Sequence, residues 1–412
     1  MTELRDYQNE LSDKGVELLK RYKICYLAME VRTGKTLTAL ATAYKFGAQN
    51  VLFITKKKAI DDIIQQALDM GYELNVFVTN YESLHNISHR FDLIICDESH
   101  GLGAFPTPSK RAKEVKRIAA YTPIIFLSGT PTPESYSQIY HQLWVSSYSP
   151  FAHYKNFYAW AKDFVNLRKK YIFNRAINDY TDADKNLIDE GCKHLFLTFT
   201  QMEAGFTQMI NENIYYVKMD DKTYKFADRL RIDKVITNAK GEVVMADTAV
   251  KLMNKLHQIY SGSVIVDEPN REGRVIDYTK AQFIKEKFAG QRIAIFYKFL
   301  AELVILMETF ESEEITFDAA IFQGGRCRVF LTQMVSGREG LNLSNADALV
   351  MYNIDFSATT YWQSRARIQT KDRDKEAQLY WIFSYNGIED KIYKAVCEKK
   401  DFTLAHFKQY YL

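Results

Sequence analysis

MEVRTGKTLTAL, residues 29–40, joins an apolar run, ICYLA (24–28), to a segment in which Leu37, Leu40 and Ala41 recur at helical spacing. The run reads as a buried strand and the segment as a helix. Between them stands Thr33-Gly34-Lys35-Thr36. A strand, a tight loop with Gly-Lys-Thr and a helix make a cradle for nucleotide phosphates, because loop N–H groups and the helix N-terminus point at the anion. Lys35 can then reach the β- and γ-phosphates, and the Thr36 hydroxyl can hold Mg²⁺. The full pattern has a glycine where this chain has Met29, so only Gly34 remains. A bare Gly-Lys-Thr also fits an ordinary strand–helix turn, and the rest of the chain decides between the two.

Four further stretches of the first half carry chemistry. VLFIT (51–55) reads as a second buried strand, with Lys56, Lys57 and Lys58 at its carboxyl end. Ligands gather at that end of strands in open α/β sheets. A helix N-terminus disfavours cations, so the three lysines point to a nucleic-acid backbone. FDLIICDESH (91–100) is a third strand followed by Asp97 and Glu98. Adjacent acids after a buried strand are costly without a partner. They suit phosphoryl transfer, where Asp97 holds Mg²⁺ and Glu98 orients and deprotonates the attacking water. Ile124–Leu127 reads as a fourth strand, and Ser128 and Thr130 on the turn after it can bridge the acid pair to a second domain. Upstream, Gln8 in LRDYQ (4–8) is either an exposed helix start or a reader of an adenine edge by paired donor and acceptor.

Composition bounds the alternatives. A length of 412 residues suits two or three domains. The 54 basic and 51 acidic residues nearly cancel, so a surface for a polyanion has to be local. Cys25, Cys96, Cys192, Cys327 and Cys397 form no C-x-x-C pair, which points to thiols in a reducing compartment rather than disulfides or zinc. MTELRDYQNE (1–10) is too polar for a signal peptide, and no run approaches the ~18 apolar residues of a membrane span. A cytoplasmic protein without a membrane partner is expected.

From about residue 136 to 250 the strand–helix rhythm is lost. Phe151, Tyr154, Phe157, Tyr158, Trp160 and Phe164 recur at helical spacing and read as a core face. Arg168, Lys169 and Lys170 follow as candidates for backbone contact. Beyond residue 250, alternating strands and helices imply a second parallel-sheet domain.

LRDYQ, GKT, NYESL (80–84), DESH and SGTP (128–131) come in order and resemble the motif series of the superfamily 2 helicases and translocases, most closely the SWI/SNF-type branch. RIAIFYKF (292–299) is similar to motif IV, and EGLNL (339–343), ADALVMYN (346–353) and YWQSRAR (361–367) to motifs V and VI. The resemblance implies an α/β fold of two RecA-like parallel-sheet domains, residues 1–145 and 251–412, with a mainly helical insertion over 146–250. It implies ATP and Mg²⁺ as cofactors. Arg5, Gln8, Thr33, Gly34, Lys35, Thr36, Gly340, Gln363 and Arg367 would bind nucleotide, and Thr36 and Asp97 the metal. Lys35, Asp97, Glu98 and Arg367 would be catalytic, Ser128 and Thr130 would couple hydrolysis to movement, and Lys56–Lys58 and Arg168–Lys170 would hold nucleic acid. The family's second motif VI arginine falls at Thr370, which leaves Arg373 and Arg365 as alternatives behind Arg367. Arg32 stands where the family usually has a glycine.

The implied activity is a monomeric DNA helicase or translocase, a nucleic-acid-stimulated ATPase that tracks along or remodels duplex or branched DNA as its domains open and close. The compact chain looks like a bacteriophage version acting in host cytoplasm. Two other readings stay open. One is an RNA-directed helicase. The other is a non-catalytic nucleic-acid-binding scaffold, which Met29, Arg32 and Thr370 fit and Lys35, Thr36, Asp97 and Glu98 oppose.

Overall fold

Runs that are apolar at successive positions cannot alternate between core and water, so they settle as strands covered on both faces. A computed structural model describes residues 3–172, 175–205, 210–334, 343, 345–357, 360, 361, 364 and 377–397, and both halves of the chain are built this way. The halves are two units, Met1–Gly205 and Phe206–Leu412.

The first unit contains Ile24–Met29 (β1), Asn50–Thr55 (β2), Asn75–Asn80 (β3), Leu93–Cys96 (β4) and Ile124–Leu127 (β5). An antiparallel hairpin of Arg168–Ile172 (β6) and Arg175–Asp179 (β7) follows, then Phe196–Phe199 (β8). One all-parallel sheet runs in the order β3-β2-β4-β5-β1-β8. Helices Asp6–Tyr22 (α1), Lys35–Phe46 (α2) and Ile60–Met70 (α3) cover one face, with Leu19, Leu40 and Ile63 packed on Leu27, Phe53 and Ile95. Lys110–Ala119 (α4), Gln138–Trp144 (α5), Phe157–Phe164 (α6) and Lys185–Cys192 (α7) cover the other, where Val115, Leu143, Trp160 and Ile188 meet Tyr26, Ile94 and Phe126. The aromatic stripe is core at Phe151, Phe157 and Trp160, with Tyr154 and Phe164 packed against it, but Tyr158 faces away from that side of α6 and is exposed.

The second unit begins with Ile210–Val217 (β9) and the hairpins Val235–Thr237 (β10) with Val243–Met245 (β11) and Ser263–Val266 (β12) with Glu272–Val275 (β13). Ile293–Tyr297 (β14), Ile315–Thr316 (β15), Val329–Gln333 (β16), Ala348–Met351 (β17) and Ala377–Ser384 (β18) join β9 in a second all-parallel sheet, ordered β15-β16-β14-β17-β18-β9. Its helices are Asp221–Asp233 (α8), Ala249–Ile259 (α9), Thr279–Lys287 (α10), Leu300–Thr309 (α11), Ala319–Gln323 (α12) and Glu389–Cys397 (α13). Each unit is an α/β domain of RecA-like form. Residues 146–250 contribute α6, α7 and α8, and also lend β8 to the first sheet and β9 to the second.

Two acids of the second unit tie its elements together. Glu212 Oε1 on β9 accepts from Tyr361 OH at 2.8 Å, Trp381 Nε1 at 2.7 Å and Tyr393 OH at 3.0 Å, tying the edge strand to β18 and α13. Lys280 Nζ on α10 meets Glu389 Oε1 on α13 at 2.6 Å with both side chains fully buried. Removing one partner of such a pair strands a charge and costs about 3–5 kcal/mol. Among the described residues no helix is long and apolar enough to cross a membrane.

His141 on α5 is buried against the rings of Tyr140, Trp144 and Phe157, and its Nδ1 donates to Ala104 O at 2.7 Å. Burial pulls its pKa from 6.5 down to about 4, the bond to Ala104 opposing and the Lys116 charge adding to the shift. Above pH 6.5 the ring is neutral folded and unfolded; below it, the unfolded chain takes up a proton that the folded chain refuses. The contribution of His141 is therefore complete above pH 6.5 and lost as the pH falls toward about 4, by at most about 1.4 kcal/mol per pH unit. Denaturant midpoints of the first unit measured across that range are expected to fall, and His141→Gln is expected to flatten the fall.

Candidate active site

Between β1 and α2 the chain reverses in a loop that its own side chains fold. The carbonyl of Glu30 accepts from Thr33 Oγ1 at 2.7 Å and from Lys35 Nζ at 3.3 Å. The Glu30 carboxylate accepts from Gln201 N at 2.7 Å, just past β8. Tyr7 OH donates to Thr33 O at 3.0 Å and accepts from Arg5 NH1 at 2.9 Å, while its ring stacks on Phe199 with centroids 4.5 Å apart. Gly34 caps α2 in the left-handed region at φ +83°. A Cβ there would collide with Gln8 Nε2. Gln8 is buried, with Oε1 accepting from Arg5 N at 2.9 Å and Nε2 donating to Gly34 O at 3.4 Å. The amide that the sequence offers to an adenine edge is here turned onto the loop. Arg32 also lies in the left-handed region, at φ +64°. For a residue with a Cβ that conformation costs about 1–2 kcal/mol.

The acid pair leaves the end of β4 in two directions. Asp97 Oδ2 accepts from Thr55 Oγ1 at 2.8 Å, and the Asp97 carbonyl accepts from Tyr81 OH at 2.5 Å. Burial and the neighbouring Glu98 charge push the Asp97 carboxyl up to about 6, with Thr55, Lys35 and a backbone N–H opposing. Glu98 turns away in the left-handed region at φ +49°. Its Oε2 lies 3.3 Å from His100 Nδ1, which is 3.0 Å from Ser128 Oγ. Ser128 Oγ accepts from Thr130 N at 3.2 Å. The turn after β5 is thus wired to Glu98, and it also backs onto the phosphate loop. A Cβ on Gly129 would stand 3.4 Å from Met29 O and Val31 N and 3.6 Å from Lys35 Nζ.

Thr36, in the first turn of α2, and Asp97 supply the hard oxygen donors that magnesium takes. Among the described residues no group of three or more His, Cys, Asp or Glu side chains could hold a metal ion. A magnesium ion at Thr36 and Asp97 would need phosphate oxygens and water as further ligands, which is how it sits in nucleotide sites. The residues present fit Mg²⁺ bound together with ATP.

The remaining candidates lie apart. Lys56 precedes, and Lys57 and Lys58 begin, a single 3₁₀ turn (Lys57–Ala59) ahead of α3, at the same sheet end as Asp97. Arg168 is on β6 and pairs with Asp182 at 2.6 Å; Lys169 is exposed beside it, and Lys170 is on the same strand. Gly340, Gln363, Arg365, Arg367, Thr370 and Arg373 fall outside the described residues. Glu30, Thr55, Tyr81 and His100 are given roles by the partners that folding brings to them; Tyr81 and His100 stand inside NYESL and DESH, while Glu30 and Thr55 had no signal of their own.

Residues 1–72 match the family described as the res subunit of type III restriction enzymes. The chain is similar to the DNA repair and recombination protein RAD54B of Gallus gallus, 32% identical over 77 residues, which is 19% of this chain and 8% of that protein. It is also similar to the SWI/SNF-related matrix-associated actin-dependent regulator of chromatin subfamily A containing DEAD/H box 1 homolog of Drosophila melanogaster, 27% identical over 179 residues, or 39% of this chain and 21% of the relative. The chain therefore spans about a fifth or less of the length of these relatives. These similarities support an assignment to the superfamily 2 helicases.

The two left-handed loop positions give opposite expectations. Gly34→Ala is expected to destabilise the first unit by about 1–3 kcal/mol, because a Cβ there is strained and displaces Gln8. Arg32→Gly is expected to stabilise it by up to about 1 kcal/mol by relieving the backbone. Urea denaturation of both variants checks this, and an equal loss at both positions would show that the loop does not keep this geometry in solution.

Proposed function

We propose that the chain is an ATP-driven, DNA-directed motor that tracks along or remodels duplex or branched DNA. What supports the reading is one cluster at the carboxyl ends of β1, β4 and β5. There Lys35 stands beside Gly129, Asp97 is held by Thr55, and Glu98 reaches Ser128 through His100. DNA as the partner rests on similarity to a protein named for DNA repair and recombination and to one named as a regulator of chromatin.

Loop N–H groups and Lys35 bind the phosphates of ATP. Magnesium bound with ATP, held by Thr36 and Asp97, supplies neutralising charge at the phosphate oxygens. Glu98 orients the attacking water and takes its proton at the carboxylate. Loss of the γ-phosphate changes what Glu98 faces, and the His100–Ser128–Thr130 chain carries that change to the turn after β5. Arg367 neutralises charge growing on the γ-phosphate, with Gln363 and Gly340 beside the nucleotide, and the two units open and close with each turnover. Lys56, Lys57, Lys58, Arg168, Lys169 and Lys170 hold the nucleic-acid backbone, which gives little sequence preference.

The test is steady-state ATP turnover alone and with single-stranded, duplex and forked DNA and with RNA. Duplex or forked DNA is expected to raise the rate at least about tenfold, a transition-state gain of about 1.4 kcal/mol. Lys35→Ala is expected to abolish turnover, and Glu98→Gln to keep ATP binding while losing hydrolysis. A rate that no nucleic acid changes would overturn the motor, and stimulation by RNA alone would make it an RNA-directed enzyme.

A further inference from the structure

β3 is an open edge of the first sheet. The order β3-β2-β4-β5-β1-β8 leaves one side of it unpaired among the described residues. Asn75 N donates to Gln49 O at 2.9 Å, so the backbone groups of Asn75, Phe77 and Thr79 face β2. Strand alternation turns the N–H and C=O of Val76 and Val78 the other way, toward the open side. Such a row of unpaired groups is a template for another strand, and edges are ordinarily guarded by charge, proline, a bulge or shortness. The other edges of the two six-stranded sheets are guarded so. β15 has two residues, β8 has four, and β9 carries Glu212. β3 has none of these devices. NVFVTN (75–80) pairs with β2 in unbroken register over six residues and holds no ionisable side chain and no proline.

The strand is also close to symmetrical about its centre. Outward from Phe77 it reads Val76 and Val78, then Asn75 and Thr79. Val76 and Val78 are half-buried on the face that α3 covers. Phe77 stands on the other face, where its ring meets that of Phe91 edge-on at 5.5 Å and stays 54% exposed. Set antiparallel against a second copy of itself, with Phe77 opposite Phe77, the strand meets its like at every position. Each Val76 faces a Val78 and exchanges both backbone hydrogen bonds with it. Each Asn75 faces a Thr79. The two Phe77 side chains fall in the non-hydrogen-bonded pair at the centre, where opposed side chains come closest and an aromatic pair stabilises. No charge in the strand opposes its copy.

We infer that β3 is a self-pairing edge, through which two copies of the chain join their first sheets about a two-fold axis at Phe77. A two-fold contact requires a surface complementary to itself. The near-symmetry of the strand supplies it, and a strand from a different protein would need no such symmetry. The dimer departs from the monomer that the family resemblance implies. A six-residue strand pair buries less than the roughly 1,200 Å² of the smallest stable interfaces, so the association is reversible, with Kd on the order of 10 µM. The inference stands apart from the motor reading, whose central cluster sits at the carboxyl ends of β1, β4 and β5.

The test is sedimentation velocity of the full chain from about 1 to about 200 µM, a range that brackets such a Kd. The wild type is expected to pass from monomer to dimer across it. Phe77→Lys and Phe77→Glu, at an exposed position, are each expected to weaken the dimer at least about tenfold, because like charges then meet on the axis. Mixed in equal amounts, the two variants are expected to pair at least as tightly as wild type, since a lysine from one faces a glutamate from the other. Val78→Pro removes an outward N–H without touching the ladder to β2 and is expected to weaken the dimer similarly. Thermal midpoints check folding, and Val78→Pro carries the test alone if the Phe77 variants do not fold. A wild type that stays monomeric throughout would overturn the inference and leave the edge to a strand of another protein. A dimer that no variant weakens would overturn it too, as would single-variant losses that mixing does not reverse. ATP turnover with DNA, measured on the same samples, reports on the motor separately.

Discussion

A strand covered on both faces has no place along its length for a charge. Ile24, Cys25, Tyr26 and Leu27 of β1 are wholly buried, as are β5 and, in the second unit, the four residues of β17 but for a trace at Ala348. Ionisable groups are therefore driven to the strand ends, and the carboxyl ends collect them. Lys35, Asp97, Glu98 and the hydroxyls of Ser128 and Thr130 meet there because β1, β4 and β5 are in one parallel register, Ile24 beside Ile124 and Ile124 beside Ile94. The second sheet repeats the pattern. Glu302, Asn353 and His257 form a buried chain past the ends of β14 and β17, with Asn353 Nδ2 2.5 Å from Glu302 Oε1 and Asn353 Oδ1 2.6 Å from His257 Nε2.

The same constraint explains what could be read without coordinates. Met29 to Leu40 was legible because its meaning is local: a buried strand, Gly34 in a conformation that glycine reaches freely, then a helix. The acid pair was legible because two carboxylates after LIIC are expensive without work to do. The two central sheets follow from apolar runs of four to six residues. One edge strand did not announce itself. β8 reads FLTF inside a stretch where the rhythm is broken, and it becomes a strand only because β1 offers an open edge, Met29 beside Phe199. Gln8 shows the reverse case. Its donor and acceptor were visible, but Arg5 N and Gly34 O, the groups they meet, are set by a capped helix and a tertiary contact 26 residues away.

What remained hidden is mostly the layer behind the site. Tyr26, buried in the middle of β1, donates to Gln142 Oε1 at 2.6 Å and accepts from Ser99 Oγ at 2.9 Å. Gln142 Nε2 in turn donates to Pro131 O at 2.8 Å. One hydroxyl thus links the strand before the phosphate loop, the residue after Glu98 and the turn after Ser128. Its partners lie 116 and 73 residues away, and no spacing rule reports such a pair. An unpaired buried hydroxyl costs about 1–3 kcal/mol, so the chain of bonds holds three loops in one arrangement more firmly than any single bond suggests.

Backbone strain marks the same place. Among the described residues, five without glycine's freedom have positive φ: Lys23, Arg32, Glu98, Lys234 and Asn386. Lys23 and Lys234 end α1 and α8 as left-handed caps that return a hydrogen bond to the helix, which offsets the conformation locally. Arg32 and Glu98 cap no helix end in this way. They stand in the phosphate loop and in the acid pair, where a strained conformation persists only if the surroundings over-determine it. The surroundings do so by named contacts. Tyr7 and Thr33 hold the loop around Arg32, and His100 with Ser128 holds Glu98. Asn386 shares the feature in the second unit, its turn fixed by Gly387 against Glu389. In each case the left-handed residue lies in a loop past the carboxyl end of a strand, so the strain follows the strand ends and not the elements.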